Sequence, residues 1–192
     1  MPRPTKVMAA QGAITALHAI RPQQGAPLGR GEIAEATEVP RLVETHLHTP
    51  YATLFTIAKR RFQPVTLQGA IFADGVPLFP EAQLITTPAR GDNLLNTIGD
   101  KRAALLRGHG IVVAGQNLPE VLYSSFVLED DAKKSWQAAA LGEVGTISEE
   151  ECRSFGAEIA LERRAQRAWN YFCSLEARWD HQPNTGKCEL FP

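Results

Sequence analysis

The sequence predicts a layered α/β fold, and three observations predict it. Short apolar runs suited to strands occupy the middle of the chain, at 42–48 and 103–115. Helical patterns are interleaved with them. Two long helical patterns then close the chain, one from Leu118 and one from Ser148. Strands that bury their apolar faces under helices form layers of this kind. The strands are short and only partly β-branched, so their order within the sheet is not readable.

Residues 1–41 read differently from the rest. They hold Pro2, Pro4, Pro22, Pro27 and Pro40 together with Gly12, Gly25, Gly29 and Gly31. Only Ala13 to Ile20 and Glu32 to Glu38 suggest short helices, and the region reads as a poorly packed lead-in. The chain as a whole, 1–192, is expected to be one domain, with its core at 42–180. Leu42 to His48 reads as a strand. Pro50 to Arg60 fits a helix start with Thr49 as its N-cap, because Tyr51, Leu54, Phe55, Ile57 and Ala58 recur at helical spacing. Pro64 to Leu67, Ala70 to Phe72 and Gln83 to Thr86 read as short extended pieces. Arg90 to Ile98 reads as a helix that stops at Gly99.

Ala103 to Gly115 reads as two apolar strands joined at Gly108-His109-Gly110. Glycines on both sides of a histidine permit a backbone path that other residues resist, and they leave room for a ligand. Leu118 to Leu141 carries Val121, Leu122, Phe126, Leu128, Ala132, Trp136 and Ala139 at helical spacing. Ser148 and Glu151 form a capping box. It opens a second long helix, expected to run unbroken to about Arg178. Trp136, Trp169 and Trp179 are expected to pack these long helices, within the domain or across subunits. The tail from His181 reads as coil.

Composition narrows the function. The 192 residues are 44% hydrophobic and 21% charged, with a net charge of −1. That balance argues against nucleic acid as a partner. No apolar run approaches the ~20 residues of a membrane span, and the N-terminus lacks the apolar centre of a secretory signal. Cys152, Cys173 and Cys188 are odd in number and widely spaced. They predict neither a disulfide framework nor a zinc knuckle, and a cytoplasmic protein is expected.

The chemistry centres on Thr45-His46-Leu47-His48-Thr49-Pro50-Tyr51-Ala52. On a strand, side chains at i and i+2 share a face. His46 and His48 can therefore project side by side. Taken alone, the pair reads first as two surface or core histidines. His109 changes that, because it too lies at the end of an apolar strand, where α/β folds place their sites. Three neutral imidazoles with one coordination position open suit a catalytic divalent metal. The other reading of His109 is a tight-turn residue. Glu44, two residues before His46, would share its face. Its alternative is a solvated carboxylate at a strand start. Tyr51 is a weak candidate proton donor, ahead of Tyr123 and Tyr171, and each of the three reads first as an amphipathic packing residue. Arg107 could pair a substrate carboxylate or be a surface charge.

These segments resemble the class II aldolase/adducin head family. In that family a His-x-His-x-Pro-Tyr-Ala segment ends one strand, and a later Leu-x-x-His-Gly segment supplies a third ligand. The matches are His46 to Ala52 and Leu105 to Gly110, and Leu128-Glu129 with Ala132 resembles the family's following helix. The resemblance covers about 42–140. It implies a three-layer α/β/α fold with a central, mainly antiparallel sheet. It also implies one divalent ion on His46, His48 and His109, zinc first, with manganese, iron or cobalt as alternatives. Phe72-Ala73-Asp74-Gly75 and Ala103 to Gly115 look most like the branch that decarboxylates dihydroxylated aromatic acids such as 3,4-dihydroxyphthalate.

The implied reaction is metal-assisted cleavage of a carbon–carbon bond in a small oxygenated acid. The alternatives are an aldolase acting on a hydroxy-aldehyde or sugar phosphate, a non-catalytic adducin-like binding member, and a non-haem iron oxygenase. The resemblance also implies a homo-oligomer, a tetramer in most of the family, with sites at subunit interfaces. The chain departs from the pattern in its N-terminal third. It has no Gly-Asn-x-Ser segment. The acid expected upstream of the histidine pair has no clear counterpart, and Glu32, Glu35, Glu38 and Glu44 are the nearest acids.

Overall fold

The sheet has four strands in the order β1-β4-β3-β2. β1 (Val43–Leu47) and β3 (Ala103–Leu106) both run antiparallel to β4 (Gly110–Gly115), and the two-residue β2 (Leu78–Phe79) runs parallel to β3 at one edge. The computed structural model describes residues 43–158 and 160–180. The expected helices at Ala13 to Ile20 and Glu32 to Glu38, the acids Glu32, Glu35 and Glu38, His18, and the tail with His181 and Cys188 lie outside those residues.

Every residue of β3 and β4 is buried, so both faces of the sheet are covered. Alternation along the strands divides the core in two. Ala103, Leu105, Ile111 and Val113 pack with Phe55, Phe62, Phe72, Val127, Leu128 and Ala132 on one face. Ala104, Leu106 and Val112 pack with Phe79, Ile85, Leu94 and Ile98 on the other. The first face is covered by α1 (Leu54–Ile57) and α3 (Leu118–Ala139), the second by α2 (Pro88–Ile98). This is the expected three-layer architecture with a mainly antiparallel sheet.

α3 begins where expected. The Asn117 side chain accepts from the Glu120 amide, and Glu120 accepts in return from the Gln116 amide. The Ser148–Glu151 capping box is also present, with the Glu151 amide donating to Ser148 Oγ and the Ser148 amide donating to Glu151 Oε2.

Five expectations are corrected. The helix predicted over Pro50 to Arg60 is only the single turn of α1, preceded by turn residues, and the Thr49 hydroxyl has no partner rather than capping it. Ala70 to Phe72, read as extended, belongs to a 3-10 helix over Gln68–Phe72. The loop before that helix folds onto the Asp131 carboxylate, which accepts from the Val65 and Thr66 amides and from the Thr66 hydroxyl. Gln83 to Thr86 is irregular. The edge of β3 is taken instead by the chain at 77–79, where Pro77 and Phe79 oxygens accept from Leu105 and Arg107 amides. The last long helix is two, α4 (Glu149–Glu158) and α5 (Leu161–Asp180). At the seam between α3 and α5, Phe126 stacks on Phe172 with ring centroids 4.8 Å apart. Trp136 is exposed and meets Tyr51 instead.

Candidate metal centre

β1 and the β3–β4 turn bring three imidazoles to one end of the sheet. The register sets His46 opposite Val112 and Leu47 opposite Ile111. Cross-strand partners share a face, so His46 lies on the α2 side while Leu47 packs into the other half of the core. His48 follows the strand end and is exposed. His109 sits on the turn between β3 and β4. Its neighbour Gly108 has φ +65°, a left-handed conformation that glycine adopts without penalty. Gly110 is required for a different reason. A Cβ there would stand 2.3 Å from the Leu47 oxygen and 2.9 Å from His48 Cδ2. The glycine-flanked histidine read from the sequence therefore has two separate physical causes.

The three rings form a nearly equilateral triangle, with centroids 4.7 Å apart for His46–His48, 4.6 Å for His46–His109 and 4.7 Å for His48–His109. Among the described residues, these three alone make a group whose donor atoms lie within 4.8 Å of one another. His46 Nδ1 donates to the Ile111 oxygen at 3.0 Å, which leaves Nε2 as the lone-pair nitrogen. That nitrogen faces His48 Nε2 at 2.9 Å. A second hydrogen bond of this kind fixes tautomer and ring orientation in metal-binding histidines. Burial, and next the neighbouring His109, lower the His46 pKa to about 4. Burial and His48 lower that of His109. Both rings are thus held neutral, the form that binds a metal. The donor set and its spacing fit one divalent ion with a coordination position left open.

The other sequence candidates are placed less centrally. Glu44 lies opposite Ala114, on the same face as His46 as expected, but it is not a member of the donor group. The Tyr51 ring leans on Trp136 with centroids 5.6 Å apart, and Lys133 Nζ lies 5.4 Å from its centre. Arg107 is exposed on the turn before His109, and its Nε donates to the Pro80 oxygen.

Two residues that shape the site, Glu129 and Thr56, had been given no role, and neither had Asp131, which clamps a different loop. Glu129 accepts from the Tyr51 amide at 2.9 Å and the Ala52 amide at 2.8 Å. Thr56 Oγ1 accepts from the Gly108 amide at 3.1 Å, tying α1 to the His109 turn. Asp131 is fully buried, and burial raises its pKa. Asp131 had a readable signal. It stands three residues after Leu128, on the helix stripe that also carries Val121 and Ala132, where a carboxylate must find donors.

Residues 43–136 match the family described as the Class II Aldolase and Adducin N-terminal domain. The matched stretch is class II aldolase/adducin-like. A 3,4-dihydroxyphthalate decarboxylase from Rhodococcus jostii is 28% identical over 107 residues, covering 53% of this chain and 43% of that protein. One from Terrabacter is 26% identical over 139 residues, covering 62% and 58%. The chain thus spans about half the length of the curated relatives it matches. The structure of an L-fuculose 1-phosphate aldolase from Glaciozyma antarctica superposes with a TM-score of 0.60 at 18% identity, covering 70% of this chain and 53% of that one. The fold is that of the class II aldolases. No helix among the described residues is long and apolar enough to cross a membrane.

Proposed function

We propose that this domain is a divalent-metal-dependent carbon–carbon lyase that decarboxylates a small hydroxylated acid, an aromatic one first. The observation that carries this reading is the triangle of imidazoles with His46 Nε2 turned inward. The names of the decarboxylase relatives support the choice of reaction. A bound divalent ion, zinc first, would supply Lewis acidity towards negative charge developing on substrate oxygens as the bond breaks.

The chain's own residues would do the rest. His46, His48 and His109 hold the ion. Arg107, on the turn that carries His109, would pair a substrate carboxylate by giving up its bond to Pro80. Glu44, on the face of His46, and Tyr51, just after the pair, are the candidates for moving a proton. We further propose that the domain works as a homo-oligomer.

The test is metal content and turnover together. The purified chain should hold about one zinc-type ion per subunit and release carbon dioxide from 3,4-dihydroxyphthalate. His48→Ala and His109→Ala should lose the ion and the turnover. An unchanged metal stoichiometry in both variants would overturn the reading.

A further inference from the structure

We infer that Glu129 is the positioning residue of the metal centre, holding from α3 the turn on which His48 is carried. The inference rests on the three-histidine reading above and adds a fourth group to it. Its two carboxylate oxygens take the amides of Tyr51 and Ala52, three and four residues beyond His48. They belong to the turn that leads into α1, which the Thr53 amide closes on the Thr49 oxygen. Tyr51 and Ala52 therefore stand where a side-chain cap from Thr49 would reach. The Thr49 hydroxyl is instead buried with no partner, and so is that of Thr53. The turn is therefore capped by a carboxylate 78 residues away in sequence.

This arrangement matters most for His48. His46 is fixed twice, by strand pairing and by the Ile111 oxygen. The His109 turn is tied by Thr56 through the Gly108 amide. His48 lies past the end of β1, and among the described residues its ring bonds to His46. Its place is thus set by the path of the backbone after it. On one side Gly110 leaves no spare room against Leu47 and His48. On the other, Glu129 grips the turn through two successive amides. A carboxylate that accepts two bonds at once fixes direction as well as distance. Weakening that grip frees His48 to move relative to the other two imidazoles.

Cobalt(II) titration of the metal-free full chain tests this, read by affinity and by the visible absorption bands that report coordination geometry. Asp131→Asn is the control, because Asp131 clamps a different loop from the same helix through the same kind of paired amide bonds. Glu129→Gln turns an amide NH2 towards a backbone N–H. It should weaken cobalt binding by about tenfold or more, the usual effect of removing a group that orients a ligand, and it should shift the bands. Asp131→Asn should lower the melting temperature at least as much while leaving affinity and spectrum as in the parent. Wild-type affinity and spectrum in Glu129→Gln would overturn the inference, and so would equal losses in both variants. A parent chain that takes up no cobalt overturns the metal reading itself and this one with it. If Glu129→Gln does not fold, Glu129→Asp, one methylene short of both amides, carries the test by the same criteria.

Discussion

Gly110 sets how near β4 can come to the histidine pair. A methyl group at this position would meet the Leu47 oxygen at 2.3 Å, far inside contact distance, and backbone cannot yield as a flexible side chain can. Gly110→Ala should cost about 1–3 kcal/mol, the usual range for overpacking, measured as a shift in the urea midpoint. It should weaken zinc uptake as well, because the same contact includes His48. Gly108→Ala meets no atoms, and its cost is the left-handed backbone alone, about 1–2 kcal/mol. His46 gives a pH dependence of definite sign. Its folded-state pKa is about 4 against 6.5 in an open chain, owing to burial and to the facing His109 and His48, with the Ile111 oxygen opposing them. Between those values the unfolded chain binds more protons than the folded one. Stability of the metal-free protein should therefore be complete above about pH 6.5 and fall as the pH drops towards 4. Thermal melts across that range should show the slope, and His46→Gln should flatten it. A melting temperature indifferent to pH in the parent would contradict this account.

At the scale of elements, what the sequence disclosed follows from where each signal comes from. β3 and β4 are buried on both faces, so Ala103 to Leu106 and Ile111 to Ala114 are apolar without interruption, a run a reader can recognise. The histidine pair was legible through the two-residue period of β1. Gln68–Phe72 was not, because its turn is shaped by Asp131 on a distant helix. Nor was Glu129, which acts on amides rather than on side chains with a pattern. The displaced edge strand has the same cause. β2 is two residues long and is defined by the hydrogen bonds of β3, not by its own composition. Thr56 shows how such a link can be tested. It is buried on α1, its hydroxyl donates to the Thr53 oxygen at 2.7 Å, and it accepts from the Gly108 amide. Thr56→Val keeps the shape and removes both bonds. It should cost about 1–3 kcal/mol, the penalty of leaving a buried polar group unmatched, and it should weaken metal binding through the His109 turn. Thr56→Ser should restore most of both, which denaturation curves and metal titration would show.

For the whole molecule, α3 and α5 leave large aromatic rings exposed. Phe126 is 49% exposed, Trp136 54% and Tyr171 57%, all on α3 or α5. Phe126 stacks flat on Phe172, and Tyr171 meets the edge of the same ring, so the aromatic cluster is ordered yet still open to water. Single exposed apolar residues are ordinary, whereas grouped ones mark an interaction surface. Apolar area of this kind contributes roughly 25 cal/mol per Å2 when covered. A second copy of the chain is the occupant consistent with the proposed homo-oligomer. Trp136, ten residues further along α3 than Phe126, touches Tyr51 just after the histidine pair. Light scattering at micromolar concentration should give a mass that is a multiple of one chain. Replacing both aromatics, as Phe126→Glu with Tyr171→Glu, should reduce it to that of a single chain while leaving the circular dichroism of the helices unchanged. A parent protein that is monomeric under these conditions would remove the oligomer proposal. Among the described residues the metal centre is built from β1, the residue after it, the β3–β4 turn and their supports on α1 and α3, and that result would leave it untouched.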